Sequence, residues 1–252
     1  MKKEMKVIGV IPARFASERF PGKVLVNISG KPMIWWVWNS ARKSKILEEI
    51  FVATDDIKIY DLVRSFGGKA IITNKSHESG TDRIAEAVKK IKADIVVNIQ
   101  GDEPLIKPEM IDEAVSPFFE DKNIYMSTLI CKIQDKKILF DDNMVKVAID
   151  KNGYVLYFSR SIIPSLVRTN KFDFFYKHIG VYVYKKDFLL KFVGLKQSRL
   201  ENIEKLEQLR VLENGYKIKA VITPYDTIPV DTLNDLKKVI RFLNIRTLAE
   251  DR

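Results

Sequence analysis

Three cations, Arg14, Arg19 and Lys23, fall within ten positions in the segment Pro12-Ala13-Arg14-Phe15-Ala16-Ser17-Glu18-Arg19-Phe20-Pro21-Gly22-Lys23. A glycine directly before a lysine lets the backbone approach a polyanion closely while the cations hold it, which is what a triphosphate requires. The segment is not a P-loop, because Gly-x4-Gly-Lys-Ser/Thr does not occur. A solvated surface loop would carry the same residues. Further along, Gln100-Gly101-Asp102-Glu103-Pro104 places a carboxylate just after an apolar run. Beside a phosphate loop this is a position for a Mg2+ ligand, since hard cations take oxygen donors and substrate phosphates. Asp102 also reads as an ordinary turn aspartate. Asp231, in Val230-Asp231-Thr232, offers a second carboxylate, or with Thr232 a helix cap.

Three more features could do chemistry. Ser79-Gly80-Thr81-Asp82-Arg83 precedes a helical pattern, so small residues and orphan N–H groups could face a ligand, or Ser79 or Thr81 could simply cap. Glu207 lies among Leu200, Ile203 and Val211 at helical spacing in a helix expected over residues 200–213. A carboxylate in an apolar stripe should be neutral, paired or lining a site, and Arg210 stands one turn on as a partner. His178, one of two histidines, is a strand residue of structural or catalytic use.

These residues need a scaffold, and the pattern supplies one. Apolar runs at residues 6–11, 50–54, 70–73 and 94–100 read as strands, the last apolar enough to be buried on both faces. Helical patterns at 31–43, 57–66 and 81–91 alternate with them, the first opening near Pro32 and the second stopping at Gly67-Gly68. Such alternation predicts a mostly parallel sheet flanked by helices, with ligands outside the carboxyl ends of the strands. After about residue 120 strands at 125–133, 145–149, 154–159 and 178–184 predict a mixed sheet, and helices return at 200–213 and 232–243. No linker separates the parts, so one α/β domain with a lobe is expected.

The 252 residues are 46% hydrophobic and 30% charged, enough for a sizeable core and too apolar for disorder. No run of 18 apolar residues occurs, so no membrane span is expected. The first residues lack a signal peptide's apolar region, and the single cysteine, Cys131, cannot pair within the chain. A reducing cytoplasm is therefore the expected home. The net charge of +10 suits polyanions. A basic nucleic-acid-binding protein is the rival reading, with Trp35, Trp36 and Trp38 as a stacking platform. Lysines are scattered singly, without a block of five like charges, and the tryptophans sit at a helix start where core or subunit contact is the simpler use.

Taken in order, the segments are no longer independent. Ile11-Pro12-Ala13-Arg14, Pro21-Gly22-Lys23, Gly30-Lys31-Pro32-Met33-Ile34, Val52-Ala53-Thr54-Asp55, Ser79 to Arg83 and Gln100 to Pro104 are followed by Val145-Lys146-Val147, Leu156-Tyr157-Phe158-Ser159-Arg160, His178-Ile179-Gly180-Val181-Tyr182, Leu206-Glu207-Gln208-Leu209-Arg210 and Val230-Asp231-Thr232. Over roughly residues 5 to 240 this closely resembles the 3-deoxy-D-manno-octulosonate (Kdo) cytidylyltransferase family, the CMP-Kdo synthetases of Gram-negative bacteria.

The resemblance implies a Rossmann-like nucleotidyltransferase fold, a mostly parallel sheet flanked by helices with a mixed-sheet sugar-binding and dimerisation lobe. Residues 1–120 and 200–252 would form the nucleotide and metal part, and 121–199 the lobe of a homodimer. The implied reaction is CTP plus Kdo, an acidic eight-carbon sugar, giving CMP-Kdo and pyrophosphate with Mg2+, for lipopolysaccharide biosynthesis. No nucleic acid or membrane partner is implied. By the match, Arg14 and Lys23 hold the triphosphate, with Ala13 beside them. Ser79, Gly80, Thr81 and Arg83 seat the cytidine, and Asp102 and Asp231 hold Mg2+. Gln100, Arg160, His178, Tyr182, Glu207 and Gln208 line the sugar site. Two departures bear on the sugar. Ile228-Pro229 stands before Val-Asp-Thr where many members have Gly, and Asp141-Asp142-Asn143-Met144 replaces a frequent Asn-Pro-Asn. Either could shift preference toward the 8-amino analogue of Kdo. The near rivals are an N-acylneuraminate cytidylyltransferase and a UTP-dependent enzyme.

Overall fold

A computed structural model describes residues 5–16, 20–167 and 174–250. Arg19 of the cationic segment lies outside the described residues. The chain divides into two compact units, residues 1–112 with 227–252, and residues 113–226. Residues 200–226, expected with the nucleotide part, thus group with the second unit.

In the first unit, β1 (Val7–Ala13) is buried at every position but Pro12. The pair β2 (Asn27–Ile28) and β3 (Lys31–Pro32) is antiparallel. Helix α1 (Met33–Ala41) starts after Pro32, whose extended backbone (φ −65°, ψ 148°) stops the helix from beginning earlier. Next come β4 (Glu49–Thr54), α2 (Ile57–Ser65) and β5 (Lys69–Ile72). The Asp56 side chain caps α2, accepting from the N–H groups of Lys58 and Ile59. Then follow α3 (Gly80–Val88), the fully buried β6 (Ile95–Ile99) and α4 (Pro108–Val115), within which the chain leaves this unit.

These strands run β6-β1-β4-β5, parallel throughout. The register pairs Val10 with Asn98 and Ala13 with Thr54. The segments after β1, β4 and β6 therefore leave the same edge of the sheet, where open α/β sheets bind ligands.

The second unit holds α5 (Pro117–Glu120), β7 (Met126–Lys132), β8 (Lys146–Ile149), β9 (Val155–Ser159), β10 (Tyr176–Lys185), α6 (Lys186–Phe192), α7 (Arg199–Glu204), α8 (Leu209–Glu213) and β11 (Ile218–Thr223). Its sheet is mixed, as expected. β10 runs antiparallel to β7 and β8, β9 antiparallel to β8, and β11 parallel to β7. The first unit then regains α9 (Leu233–Glu250). Among the described residues no helix is long and apolar enough to cross a membrane.

The single helix expected over 200–213 is a correction: α7 ends at Lys205 in the left-handed conformation (φ 55°), and α8 begins afresh. The reason is a buried ion pair. Arg210 donates from Nε to Glu201 Oε2 at 2.8 Å and from Nη2 to Oε1 at 2.5 Å. On an unbroken helix two residues nine apart are separated by about 14 Å along the axis, too far for that contact. The break lets the two charges meet.

Candidate functional site

A cavity of about 390 Å³ opens in the first unit, with walls from the segments after β1 and β6, the start of α3, and Asp231. Two glycines shape it. Gly22 has φ +69°, a left-handed backbone that turns the chain so that Lys23 lies on the wall. Gly101 packs so closely on the end of β1 that a Cβ there would sit 2.9 Å from the Pro12 carbonyl oxygen. The tight approach puts Gln100, Gly101 and Asp102 beside Ala13 and the exposed Arg14 on one wall.

Asp102 and Asp231, distant in sequence, meet at Lys23. The Val230 N–H donates to the Asp102 carbonyl at 2.9 Å, which sets the two segments side by side. The Lys23 ammonium donates to Asp102 Oδ2 in a short contact, to Asp231 Oδ1 at 3.1 Å and to the Val230 carbonyl at 3.3 Å. Burial works against the charged ammonium, but Asp102 first and then Asp231 outweigh it and hold the Lys23 pKa above its ordinary value. Both carboxylates keep contact with the cavity, at 24% and 33% side-chain exposure. The alternative role of Asp231 as a cap is taken by its neighbour. Thr232 Oγ1 accepts from the Asp235 N–H at 3.2 Å, and Asp235 accepts from the Thr232 N–H at 3.1 Å.

Two carboxylates already sharing one positive centre form a donor set that suits a divalent cation arriving with phosphate, because Mg2+ is usually held by one or two carboxylates plus substrate oxygens. Among the described residues no group of three or more His, Cys, Asp or Glu side chains could hold an ion.

At the start of α3, Ser79 both caps and faces the cavity. It accepts from the Asp82 N–H at 3.0 Å and donates to the Asp82 carboxylate at 2.9 Å. Gly80 is on the wall, whereas Thr81 is buried away from it. Arg83 touches the cavity but is 2% exposed, and its guanidinium reaches Thr73 Oγ1 at 2.7 Å and Asp55 Oδ2 at 2.8 Å. His77 and Glu78 also line the wall and were missed from sequence. His77 pairs through Nε2 with Glu86, whose carboxyl is held below its ordinary range by the Asn74 N–H and then by His77. Their one sequence signal is that they directly precede the capping Ser79. The three tryptophans of α1 are half-buried, Trp36 donating to the Ile28 carbonyl at 2.9 Å and Trp38 packing on Phe66.

Of the expected sugar-site residues, Gln100 is in the first unit, donating to Asn98 Oδ1 at 3.1 Å. Arg160, His178, Tyr182, Glu207 and Gln208 belong to the second unit. His178 and Tyr182 rings lie 5.0 Å apart. Thr128 Oγ1 is 2.9 Å from His178 Nε2 and also donates to the Val181 carbonyl at 2.8 Å. A hydroxyl has one proton, so the Nε2 of His178 must be the donor to Thr128. Burial drives the His178 pKa down to about 3, and the imidazole is neutral. Burial, and then the charge of Glu207, raise the Tyr182 phenol above its ordinary value. Glu207 sits between α7 and α8 rather than within a helix, 3.9 Å from Arg210. Gln208 is buried at the start of α8.

The cytidylyltransferase family model matches residues 8–218. A 3-deoxy-manno-octulosonate cytidylyltransferase of Geotalea daltonii is 48% identical over 252 residues, covering 96% of this chain and all of the relative. One from Thermodesulfovibrio yellowstonii is 51% identical over 253 residues, covering 95% and 99%. This chain belongs to the 3-deoxy-manno-octulosonate cytidylyltransferase family. A CMP:2-keto-3-deoxy-manno-octonic acid synthetase solved in complex with CTP superposes with a TM-score of 0.91 at 40% identity, covering 96% of this chain and 99% of that one. At 16% identity and a TM-score of 0.63, a 4-diphosphocytidyl-2C-methyl-D-erythritol synthase of Anaerococcus prevotii shares the fold. Family membership thus agrees with the nucleotidyltransferase fold that the motif resemblance implied, and the observed sheet agrees with the parallel, helix-flanked arrangement expected from the order of strands and helices.

Proposed function

We infer that this chain transfers the cytidylyl group of CTP to 3-deoxy-manno-octulosonate, releasing pyrophosphate and giving the activated sugar used in lipopolysaccharide assembly. The observation that carries the chemistry is the meeting of Asp102, Asp231 and Lys23 on the wall of a cavity that also exposes Arg14. Family membership favours this sugar acid over N-acylneuraminate, and an enzyme over a nucleic-acid-binding protein.

In this reading the anomeric hydroxyl oxygen forms a bond to the α-phosphorus in line with the bond that breaks toward the β-phosphate. Pyrophosphate departs with that bond's electrons, and the hydroxyl proton passes to water. Asp102 and Asp231 would hold Mg2+, which when bound supplies Lewis-acid charge against the repulsion between two anionic substrates. The four-carbon stem of Lys23 lets its ammonium swing from the carboxylates to the phosphates. Arg14 and Lys23 then neutralise charge building on the leaving pyrophosphate, a preorganised contact worth roughly 3–4 kcal/mol. Ser79 and Gly80 at the start of α3 form the wall against which the nucleoside packs. Arg160 would bind the sugar carboxylate, for which a planar guanidinium is suited.

The test is pyrophosphate release from CTP with 3-deoxy-manno-octulosonate, its 8-amino analogue and N-acylneuraminate in turn, and with UTP replacing CTP. Turnover with CTP and 3-deoxy-manno-octulosonate is expected. Turnover confined to N-acylneuraminate or to UTP, or none at all alongside tight, salt-dependent RNA binding, would overturn the reading.

A further inference from the structure

Strand β8 begins with a lysine that the reaction above does not use. Lys146 is 0% exposed, a rare state for this residue type. Its ammonium donates to three backbone carbonyls, Asp141 at 2.8 Å, Met144 at 2.9 Å and Arg160 at 2.5 Å. An ammonium has three N–H donors, so these acceptors saturate it. Burial pushes its pKa below the ordinary lysine value, against the nearby charges of Asp142 and Asp141. Three charge-assisted bonds from one ammonium tie the segments that carry those carbonyls to one another.

What they organise is Arg160. Two of the three acceptors belong to the 141–144 loop that leads into β8, and the third is the Arg160 carbonyl just past β9. The register pairs Lys146 with Ser159, so the lysine stands across from the residue before Arg160. The same loop offers the Asp142 carbonyl, which accepts from Arg160 Nη1 at 3.0 Å. Opposite, Glu204 accepts from the Arg160 N–H at 3.0 Å through its carboxylate, and from Arg160 Nε at 3.1 Å through its carbonyl. Among the described residues Arg160 is thus gripped at its backbone and at two of its five side-chain donors, leaving three for a ligand.

We propose that Lys146 is a positioning residue for the sugar acid: its ammonium clamps the 141–144 loop onto the Arg160 backbone, so that the guanidinium presents its remaining donors to the substrate carboxylate in one orientation. The proposal rests on Arg160 being the carboxylate anchor of the function inferred above.

Three variants test it by steady-state pyrophosphate release with each substrate varied, alongside thermal melting. Lys146→Met keeps the stem and removes the donors. Asp141→Ala loosens the same loop from its surface side, where Asp141 Oδ1 accepts from the Asn143 N–H at 2.9 Å, and this variant decides the matter if Lys146→Met does not fold. Arg160→Gln is the control for the anchor. For Lys146→Met the KM for the sugar acid is expected to rise roughly tenfold or more, as misplacement of a binding group does. A smaller rise is expected for Asp141→Ala, with kcat and the KM for CTP within about twofold of wild type in both. A lower melting temperature with the sugar KM unchanged, or a parallel rise of both KM values, overturns the proposal. If Arg160→Gln raises the sugar KM and the other two do not, the clamp alone fails. If Arg160→Gln leaves it unchanged, the anchor and the clamp both fail.

Discussion

Arg83→Lys separates two uses of a residue on the cavity wall. The Arg83 guanidinium forks to Asp55 at 2.8 Å and Thr73 at 2.7 Å, at 3% side-chain exposure against 15% for Asp55. Asp55 follows β4, Thr73 follows β5 and Arg83 lies on α3, so the fork ties two strand ends to the helix whose start lines the cavity. Lysine cannot make that fork. The lysine ammonium keeps the charge beside Asp55 but gives up one arm of the fork, a hydrogen bond from a charged group worth about 1.5–3 kcal/mol. For a chain of this size that corresponds to a fall of roughly 3–12 °C in melting temperature. Differential scanning fluorimetry reads the fall, and pyrophosphate release reads the accompanying rise in KM for CTP. Asp55→Asn, at a residue off the cavity wall, should move both in the same direction. The double variant should fall short of the sum of the two. The reasoning is refuted if Arg83→Lys melts within about 2 °C of wild type while the KM for CTP rises, because Arg83 would then serve the nucleotide directly.

Two further outcomes are expected. Gly101→Ala forces a Cβ to within 2.9 Å of the Pro12 carbonyl, so stability should drop by about 1–3 kcal/mol and kcat/KM should fall; wild-type values of both would remove the close-approach argument. For His178 the folded pKa of about 3 lies below its ordinary value of 6.5, so the unfolded chain takes up the proton first as pH falls. Its contribution to stability is complete above pH 6.5 and is lost toward pH 3, by about 1 kcal/mol per pH unit. Denaturant titrations of wild type and His178→Gln should therefore converge as the pH is lowered, and parallel curves would contradict the buried neutral imidazole.

What the sequence disclosed and what it hid follow from the range of the forces involved. β1 and β6 were legible because strands buried on both faces are apolar throughout, and α2 because its helical pattern stops at Gly67-Gly68. Lys23, Asp102 and Asp231 could be singled out because each follows a strand or opens a helix on one sheet edge. The break at Lys205 was hidden, because a left-handed lysine leaves no local mark and the Glu201–Arg210 pair that demands it is a tertiary contact. β11 was missed with Lys217 and Lys219 flanking its start, where a strand resembles a charged loop. Lys146 looked like one more solvated cation, since only the fold brings three carbonyls around it. Arg83 was legible as a wall residue but not as a partner of Asp55, which lies in a separate β–α connection.

The most direct test of the catalytic centre is pyrophosphate release from CTP and 3-deoxy-manno-octulosonate by Asp102→Asn and Asp231→Asn, titrated with Mg2+. Each variant should melt as a folded protein and lose about 100- to 1000-fold in turnover, with a larger Mg2+ requirement for what remains. Turnover near wild type, at an unchanged Mg2+ requirement, in either variant would show that the two carboxylates joined by Lys23 are not where the reaction takes place.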